Sequence, residues 1–414
     1  METIDVNSSR LDESLKEMSM IGRNENGGIS RLALTEEDGR ARLLFKRWCE
    51  ELGMDVRLDD LGNMYARYEG VNDEPPVLIG SHLDTVENGG AYDGVYGLLA
   101  GLEAVRALAE SGKRLTRPIE LVNFTNEEGA RFEPSMLASG VLAGRYSREE
   151  AYEKADKAGI SFSQALENLD FKGERKNRVQ NASCYIELHV EQGPILERSR
   201  DQIGIVEGIV GLTCIEITIS AAPNHAGTTP MDMRHDALVA ASSIITRIPD
   251  LASSIDDGLT ATVGRFDISP NIYNVIPGEA VFTVDVRHAK KEVREEAVLR
   301  IIRLADVHVR EAEAEMDVKM LWKTETTFFS KKMMALAKEA VSRLGYSFRP
   351  MFSGAGHDAQ FIASLFPSLM LFIPSTDGKS HCPEEHSSSE DCRRGAEVLL
   401  QTVLLLEHQY AKEM

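Results

Sequence analysis

The run Pro76-Val77-Leu78-Ile79-Gly80-Ser81-His82-Leu83-Asp84, followed about ten residues on by Tyr92-Asp93-Gly94-Val95-Tyr96-Gly97-Leu98-Leu99-Ala100, decides how this chain is read. Val77 to Ile79 is a short unbroken apolar run, as a strand buried on both faces would be. Residues 94–110 carry a helical pattern that stops at Ser111-Gly112. A strand leaving at His82 and a helix entering at Asp93 form the join of an α/β protein. That join brings an imidazole and a carboxylate to one point, a pair suited to Zn²⁺ or a similar first-row ion. Gly89, Gly90 and Gly94 let the backbone turn sharply beside it.

Outward from this join the alternation continues. Residues 55–58, 64–68, 118–124 and 182–190 read as strands, and residues 35–48 as a helix. That helix opens on Thr35-Glu36-Glu37-Asp38, a capping-box pattern with Leu34 just outside. Residues 148–170 are polar and helical in character, with no evident place in the fold. From Gly211 the pattern changes to strand 213–220, helix 236–248, strands 259–266 and 280–287, helix 291–314 and strand 317–322. The order β-α-β-β-α-β is that of a ferredoxin-like sandwich. Helix 331–345, strand 367–373 and helix 389–409 then restore the α/β character. The expected fold class is therefore α/β: a metal-binding domain of residues 1–211 and 326–414, interrupted by a ferredoxin-like domain at 212–325.

Composition narrows the function. A chain of 414 residues exceeds one small core, which fits two domains. The formal charge of −20 disfavours nucleic acid and anionic membranes as partners, and an anionic substrate would need a local positive site. Five cysteines without paired spacing suggest reduced thiols and a cytoplasmic location. Residues 1–31 are polar and lack the signal-peptide pattern, and no run approaches 18 apolar residues, so no membrane partner is expected.

Several further groups fall at or just beyond the ends of the expected strands: Glu127 and Glu128 after Phe124, His189 near the end of 182–190, and His381 after Ile373. Ligands of open α/β sheets gather beyond the carboxyl ends of the strands. Singly, each residue has an ordinary reading as a solvated turn or a structural histidine. Sharing one topological position, they read as a site. His82, Asp93, Glu128, His189 and His381 are too many for one catalytic ion with an open position, and suit two ions sharing Asp93. Glu127 is then free to act as general base, and Asp84 to hold the His82 imidazole from behind.

These residues lie in motifs that resemble the dinuclear-metal amidohydrolases of the M20 peptidase-like group, in particular its ureido-cleaving branch. The motifs are Gly80-Ser81-His82-Leu83-Asp84-Thr85, Asn126-Glu127-Glu128-Gly129-Ala130-Arg131-Phe132 and Glu187-Leu188-His189-Val190-Glu191-Gln192-Gly193-Pro194. Further on come Asn224-His225-Ala226-Gly227-Thr228-Thr229-Pro230-Met231, Asn274-Val275-Ile276-Pro277-Gly278 and Ser353-Gly354-Ala355-Gly356-His357-Asp358. The resemblance implies a lid domain that also forms a homodimer. It assigns His82, Asp93 and His189 to one ion, and Asp93, Glu128 and His381 to the other. Zn²⁺ or Mn²⁺ are the expected ions, with Co²⁺ or Ni²⁺ also accommodated. His381 is preferred to His386 because it follows a Ser and stands two before a Pro.

The resemblance further implies that His225 reaches the partner subunit's active site and steadies an oxyanion. Asn274 and Arg287 would bind the substrate carboxylate, and Gln192, Gly356 and His357 would line the pocket. The implied reaction is hydrolysis of a ureido C–N bond in a small carboxylate. Allantoate is the first choice, an N-carbamoyl-L-amino acid or N-carbamoyl-β-alanine the second, and a dipeptide a more remote one.

Overall fold

Every residue of Val77–His82, Ile119–Phe124, Cys184–Val190 and Ser368–Ile373 is buried. Strands this apolar need cover on both faces. The computed structural model describes residues 4–413. Its strands are β1 (Asp55–Leu58), β2 (Met64–Tyr68), β3 (Val77–His82), β4 (Ile119–Phe124), β5 (Cys184–Val190), β6 (Ile203–Ile209) and β7 (Gly211–Ser220). Then follow β8 (Asn224–His225), β9 (Thr260–Ser269), β10 (Val275–Ile276), β11 (Glu279–His288), β12 (Glu315–Thr324), β13 (Thr327–Phe328), β14 (Phe348–Ser353) and β15 (Ser368–Ile373). The chain divides into two compact units, Met1–Gly208 with Phe328–Met414, and Ile209–Thr327.

In the first unit the described strands form a nine-stranded sheet ordered β1-β2-β4-β3-β5-β15-β6-β13, with β14 on β6. Neighbours among β4, β3, β5 and β15 pair in parallel. Their carboxyl ends therefore share one edge, where His82, Phe124, Val190 and Ile373 close the strands. Helix Val95–Glu110 packs on β3 and β5 so closely that a Cβ at Gly97 would lie 1.8 Å from the Leu188 carbonyl oxygen. Helices Ser8–Ser19 and Ser389–Glu413 pack against that helix in turn.

The N-terminal helix departs from the expectation of a merely polar segment. Leu11, Leu15 and Met18 recur at helical spacing and are buried, Asn7 caps the first turn, and Arg10 pairs with Glu103 at 2.7 Å. Residues 148–170 resolve into two short helices, Arg148–Glu153 and Phe162–Asn168, each opened by a reciprocal capping box. At Thr35 the cap is one-sided. Its hydroxyl accepts from the Asp38 N–H, but the Asp38 carboxylate turns to the Leu34 N–H (2.8 Å) and to Arg42 (2.7 Å).

In the second unit β12-β7-β11-β9 form a four-stranded antiparallel sheet, and β8 and β10 a separate ribbon. Ile215, Ile217, Ile219, Phe282, Val284 and Val286 form its core with helix residues Ala241, Ile244, Ile248 and Ile301. The single helix expected at 236–248 is instead Ala237–Ile245 followed by Ile248–Ile255, the second opening with Pro249 in its first turn. Proline is favoured there because its missing N–H is unpaired anyway. Taken together, Ala237–Ile255 is long and apolar enough, by length and composition, to cross a membrane, although Arg247 and Asp250 interrupt any continuous apolar run.

Candidate metal centre

His82 ends β3 and is 1% exposed, and His189 lies within β5 and is fully buried. Each ring directs Nδ1 at a backbone carbonyl, Asp84 for His82 and Val190 for His189, both at 2.9 Å. Those contacts place the neutral-ring proton on Nδ1 and leave the Nε2 lone pair facing inward. The Gly94 N–H indeed donates to His189 Nε2 at 3.0 Å. Asp93 sits between the histidines with its two oxygens divided. Oδ1 is 3.5 Å from His82 Nε2 and 3.1 Å from His189 Nε2, while Oδ2 is 3.3 Å from His381 Nε2. Glu128 Oε2 lies 3.4 Å from the same His381 nitrogen.

These separations have a physical meaning. Donors bound tetrahedrally at about 2.0–2.1 Å from a cation stand about 3.3 Å apart. Charge-assisted hydrogen bonds would be nearer about 2.7–2.9 Å. His82, Asp93 and His189 form one such group and Asp93, Glu128 and His381 another, with the donor atoms of each within 4.8 Å of one another. The donor atoms of Glu187, His189 and His357 also lie within 4.8 Å of one another. Since His189 Nδ1 is committed to Val190, its one remaining lone pair belongs to the first group.

Electrostatics favour positive charge at this point. Burial alone would lower the His82 pKa, yet Glu127, Asp93 and Asp84 raise it well above its ordinary value. Hydrogen bonding to Asp93 raises His381 to about 9. Burial and then Asp93 push Glu128 up to about 8. Burial would also raise Asp93, but the three imidazoles hold it well below the carboxylate range. Protons thus gather where cations would balance the same carboxylates.

The family model described as Peptidase family M20/M25/M40 matches residues 78–405. The chain belongs to the M20 peptidase family. Among relatives of this M20 chain, the N-carbamoyl-L-amino-acid amidohydrolase of Rhizobium meliloti is 40% identical over 96% of each chain. The allantoate amidohydrolase of Bacillus subtilis (strain 168) is 35% identical over 92% of this chain and 93% of its own. A crystal structure of an amidase of the hydantoinase/carbamoylase family from Burkholderia multivorans superposes with a TM-score of 0.91. It is 38% identical and covers 97% of this chain and 98% of its own.

The other expected residues of this M20 chain fall in different places. Glu127 is 6% exposed, with Oε2 3.6 Å from His82 Nε2. Burial, then Asp358, Glu128 and Asp93, raise its carboxyl well above the usual range. Asp84 works differently from the expectation. Its carbonyl, not its carboxylate, meets His82, while the carboxylate oxygens accept the N–H groups of Glu127 and Glu128, both at 3.3 Å. Gln192 adopts φ +57 and donates Nε2 to Asp93 Oδ2 at 2.6 Å, leaving a buried Oε1 without a hydrogen-bond partner. His357 is buried edge-on against His189, ring centroids 4.5 Å apart, with Nε2 3.1 Å from Ser353 Oγ. Burial and His189 hold its pKa well below the usual value. Gly356 is half-buried, and a Cβ there would meet Met136 Cε at 2.8 Å.

In the second unit, His225 and Asn274 are exposed on neighbouring turns. Val275 pairs with His225, and the Ala226 N–H donates to the Asn274 carbonyl at 2.9 Å. His225 Nδ1 accepts from Gly227 (3.0 Å) and Thr228 (3.2 Å), so the neutral ring carries its proton on Nε2 as a free-standing donor group. Arg287 lies in β11, with its guanidinium bidentate on Asp285 (2.8 and 3.1 Å). Sequence reasoning missed Ser380 and Glu385, which touch the ligand loops, because neither residue type marks a ligand by itself.

Proposed function

We propose that this protein hydrolyses the ureido C–N bond of a small carboxylate at two divalent cations held by His82, Asp93, Glu128, His189 and His381. The divided carboxylate of Asp93, with two imidazoles on one oxygen and one on the other, is the observation that carries this reading. As an M20 chain with full-length relatives named amidohydrolases, it is an amidohydrolase acting on C–N bonds other than peptide bonds. The donor set is mixed imidazole and carboxylate, which accepts Zn²⁺, Mn²⁺, Co²⁺ or Ni²⁺.

Bound there, the cations would supply acidity to a water near neutral pH and positive charge for a developing oxyanion. Glu127 takes the proton and returns it to the departing nitrogen, a task suited to a carboxyl raised by burial. Gln192 Oε1, without a partner, can accept an N–H of the ureido group. His225 of a second copy would offer Nε2–H to the oxyanion, Asn274 and Arg287 would bind the substrate carboxylate, and Gly356 and His357 would line the pocket. Arg287 would exchange Asp285 for the substrate in the same bidentate geometry. We read Ile209–Thr327 as ferredoxin-like, since β12-β7-β11-β9 is the strand order of that fold, and, from the M20 resemblance, as a lid through which two copies pair.

The substrate follows from similarity. Motifs such as Gly354-Ala355-Gly356-His357-Asp358-Ala359-Gln360 place allantoate first. Identity weighs the other way, 40% to a relative named for N-carbamoyl-L-amino acids against 35% to one named for allantoate, both over nearly the whole chain. We place an N-carbamoyl-L-amino acid first and allantoate second. Ammonia release by metal-reconstituted protein from N-carbamoyl-L-amino acids, allantoate and N-carbamoyl-β-alanine, set against release of free amino acids from dipeptides, decides. Cleavage of dipeptides alone would overturn the ureido reading.

A further inference from the structure

We infer that Glu385 is a positioning residue that fastens the loop of Asp93 to the loop of His381 and so builds the second cation position; the inference rests on the metal-centre reading above. Asp93 and His381 arrive on irregular loops, whereas His82 and His189 stand in strands β3 and β5. His381 is half exposed and adopts φ +56, a conformation costly for a residue with a Cβ unless its surroundings enforce it. Something must therefore hold both loops.

Glu385 does so with one buried carboxylate. Its Oε1 accepts the N–H groups of Tyr92 (2.8 Å) and Asp93 (3.0 Å), and its Oε2 accepts the hydroxyl of Ser380 (2.7 Å), the residue before His381. Ser380 Oγ also lies 3.0 Å from Asp93 Oδ2. The Glu385 N–H donates to the Cys382 carbonyl at 3.1 Å, closing the turn that follows His381. The residue before His381 and the backbone of Asp93 are thus tied to one side chain, and the residue after His381 to the backbone of the same glutamate. The approach depends on Gly90, where a Cβ would fall 2.1 Å from Glu385 Oε1. A glutamate that only capped its own turn would need neither that glycine nor contact with a loop so distant in sequence. Outer partners of this kind orient ligands, and their loss costs about 10- to 100-fold in metal affinity.

The two cation positions are therefore unequal, with the one at Asp93, Glu128 and His381 dependent on Glu385. The test uses full-length Glu385→Ala, Glu385→Gln and Ser380→Ala proteins. Zn²⁺ content after dialysis and affinity against a chromophoric chelator are measured, with thermal unfolding of the metal-free proteins alongside. Glu385→Ala should keep one ion and lose about 10- to 100-fold in affinity for the other. Glu385→Gln, which retains an acceptor for Tyr92 and Asp93, should keep both. Ser380→Ala, which frees the His381 loop and removes the hydroxyl from Asp93 Oδ2, the oxygen facing His381, should weaken the same single ion. Two ions at wild-type affinity in Glu385→Ala would overturn the inference while leaving the metal centre intact, as would equal loss of both ions. A wild-type protein that takes up no divalent ion would overturn the metal-centre reading itself, and this inference with it.

Discussion

Asp93 shows what one side chain must do here: each of its oxygens faces a different imidazole set, and neither is replaceable by an amide nitrogen. Glu127, by contrast, can change without disturbing that geometry. Glu127→Gln should bind the same number of ions as the wild type and unfold at the same temperature, while kcat falls by about 10²- to 10⁴-fold, the usual share of a general base. Unchanged turnover in a fully loaded variant would remove Glu127 from the mechanism. A second expectation concerns protons. In the metal-free protein His381 is raised from an ordinary value of 6.5 to about 9 and Glu128 from 4.5 to about 8. The folded state then holds more protons than the unfolded one, so stability falls as pH rises. The chelated protein should lose melting temperature between about pH 5 and 9, and metal-loaded protein much less, in parallel thermal scans across that range. The depressed Asp93 has the opposite sign but acts only below its ordinary value of 3.8, and the depressed His357 opposes the trend only up to its ordinary value of 6.5, so the loss should be steepest above that. The ligand types were legible because histidines and acids at strand ends are conspicuous. The role of Asp84 was not, since sequence does not tell whether a side chain or its own carbonyl reaches a ring.

At the scale of elements, the join between β3 and helix Val95–Glu110 sets the first cation position. Gly94 adopts φ +67, and a Cβ there would lie 2.4 Å from the His82 ring. Gly112, at the far end of the same helix, has φ +68 with nothing within 4 Å. Alanine at either glycine should cost more than about 1 kcal/mol through backbone strain. Only Gly94→Ala should also push the His82 ring away and reduce metal uptake. Urea unfolding and metal content of the two variants separate the shared strain from the local clash. Equal metal content in both would show that His82 tolerates displacement. The strands of this join were legible from apolar runs, and the helix from its period and Ser111-Gly112 stop. Helix Ser8–Ser19 was not, because its narrow Leu11-Leu15-Met18 stripe is diluted by Arg10, Asp12, Glu13 and Lys16. The break at Thr246-Arg247 was hidden for another reason: the apolar period runs through it and on into Ile248–Ile255.

For the whole molecule, the second unit poses a question of cover. Ala237–Ile255 is largely apolar, and Val239 within it and Leu299 on the neighbouring helix Lys291–Glu311 are 59% and 54% exposed. Exposed apolar side chains on this layer would be covered if the unit pairs with another chain. The M20 resemblance names a second copy of the chain as the occupant. It also has His225 acting in the partner's active site, so assembly and catalysis would be linked. A Val239→Glu, Leu299→Glu double variant places two charges on that layer without touching the cores of either unit. We expect the wild-type protein to sediment at twice the mass of its 45.8 kDa chain and the double variant to sediment as a single chain. The variant should retain both cations, because all five ligands lie in Met1–Gly208 and Phe328–Met414. Its hydrolysis should nevertheless fall sharply, and mixing it with a Glu127→Gln protein should not restore activity. Full turnover by a single chain would mean that His225 serves its own site or none, and would detach the lid's pairing from the chemistry.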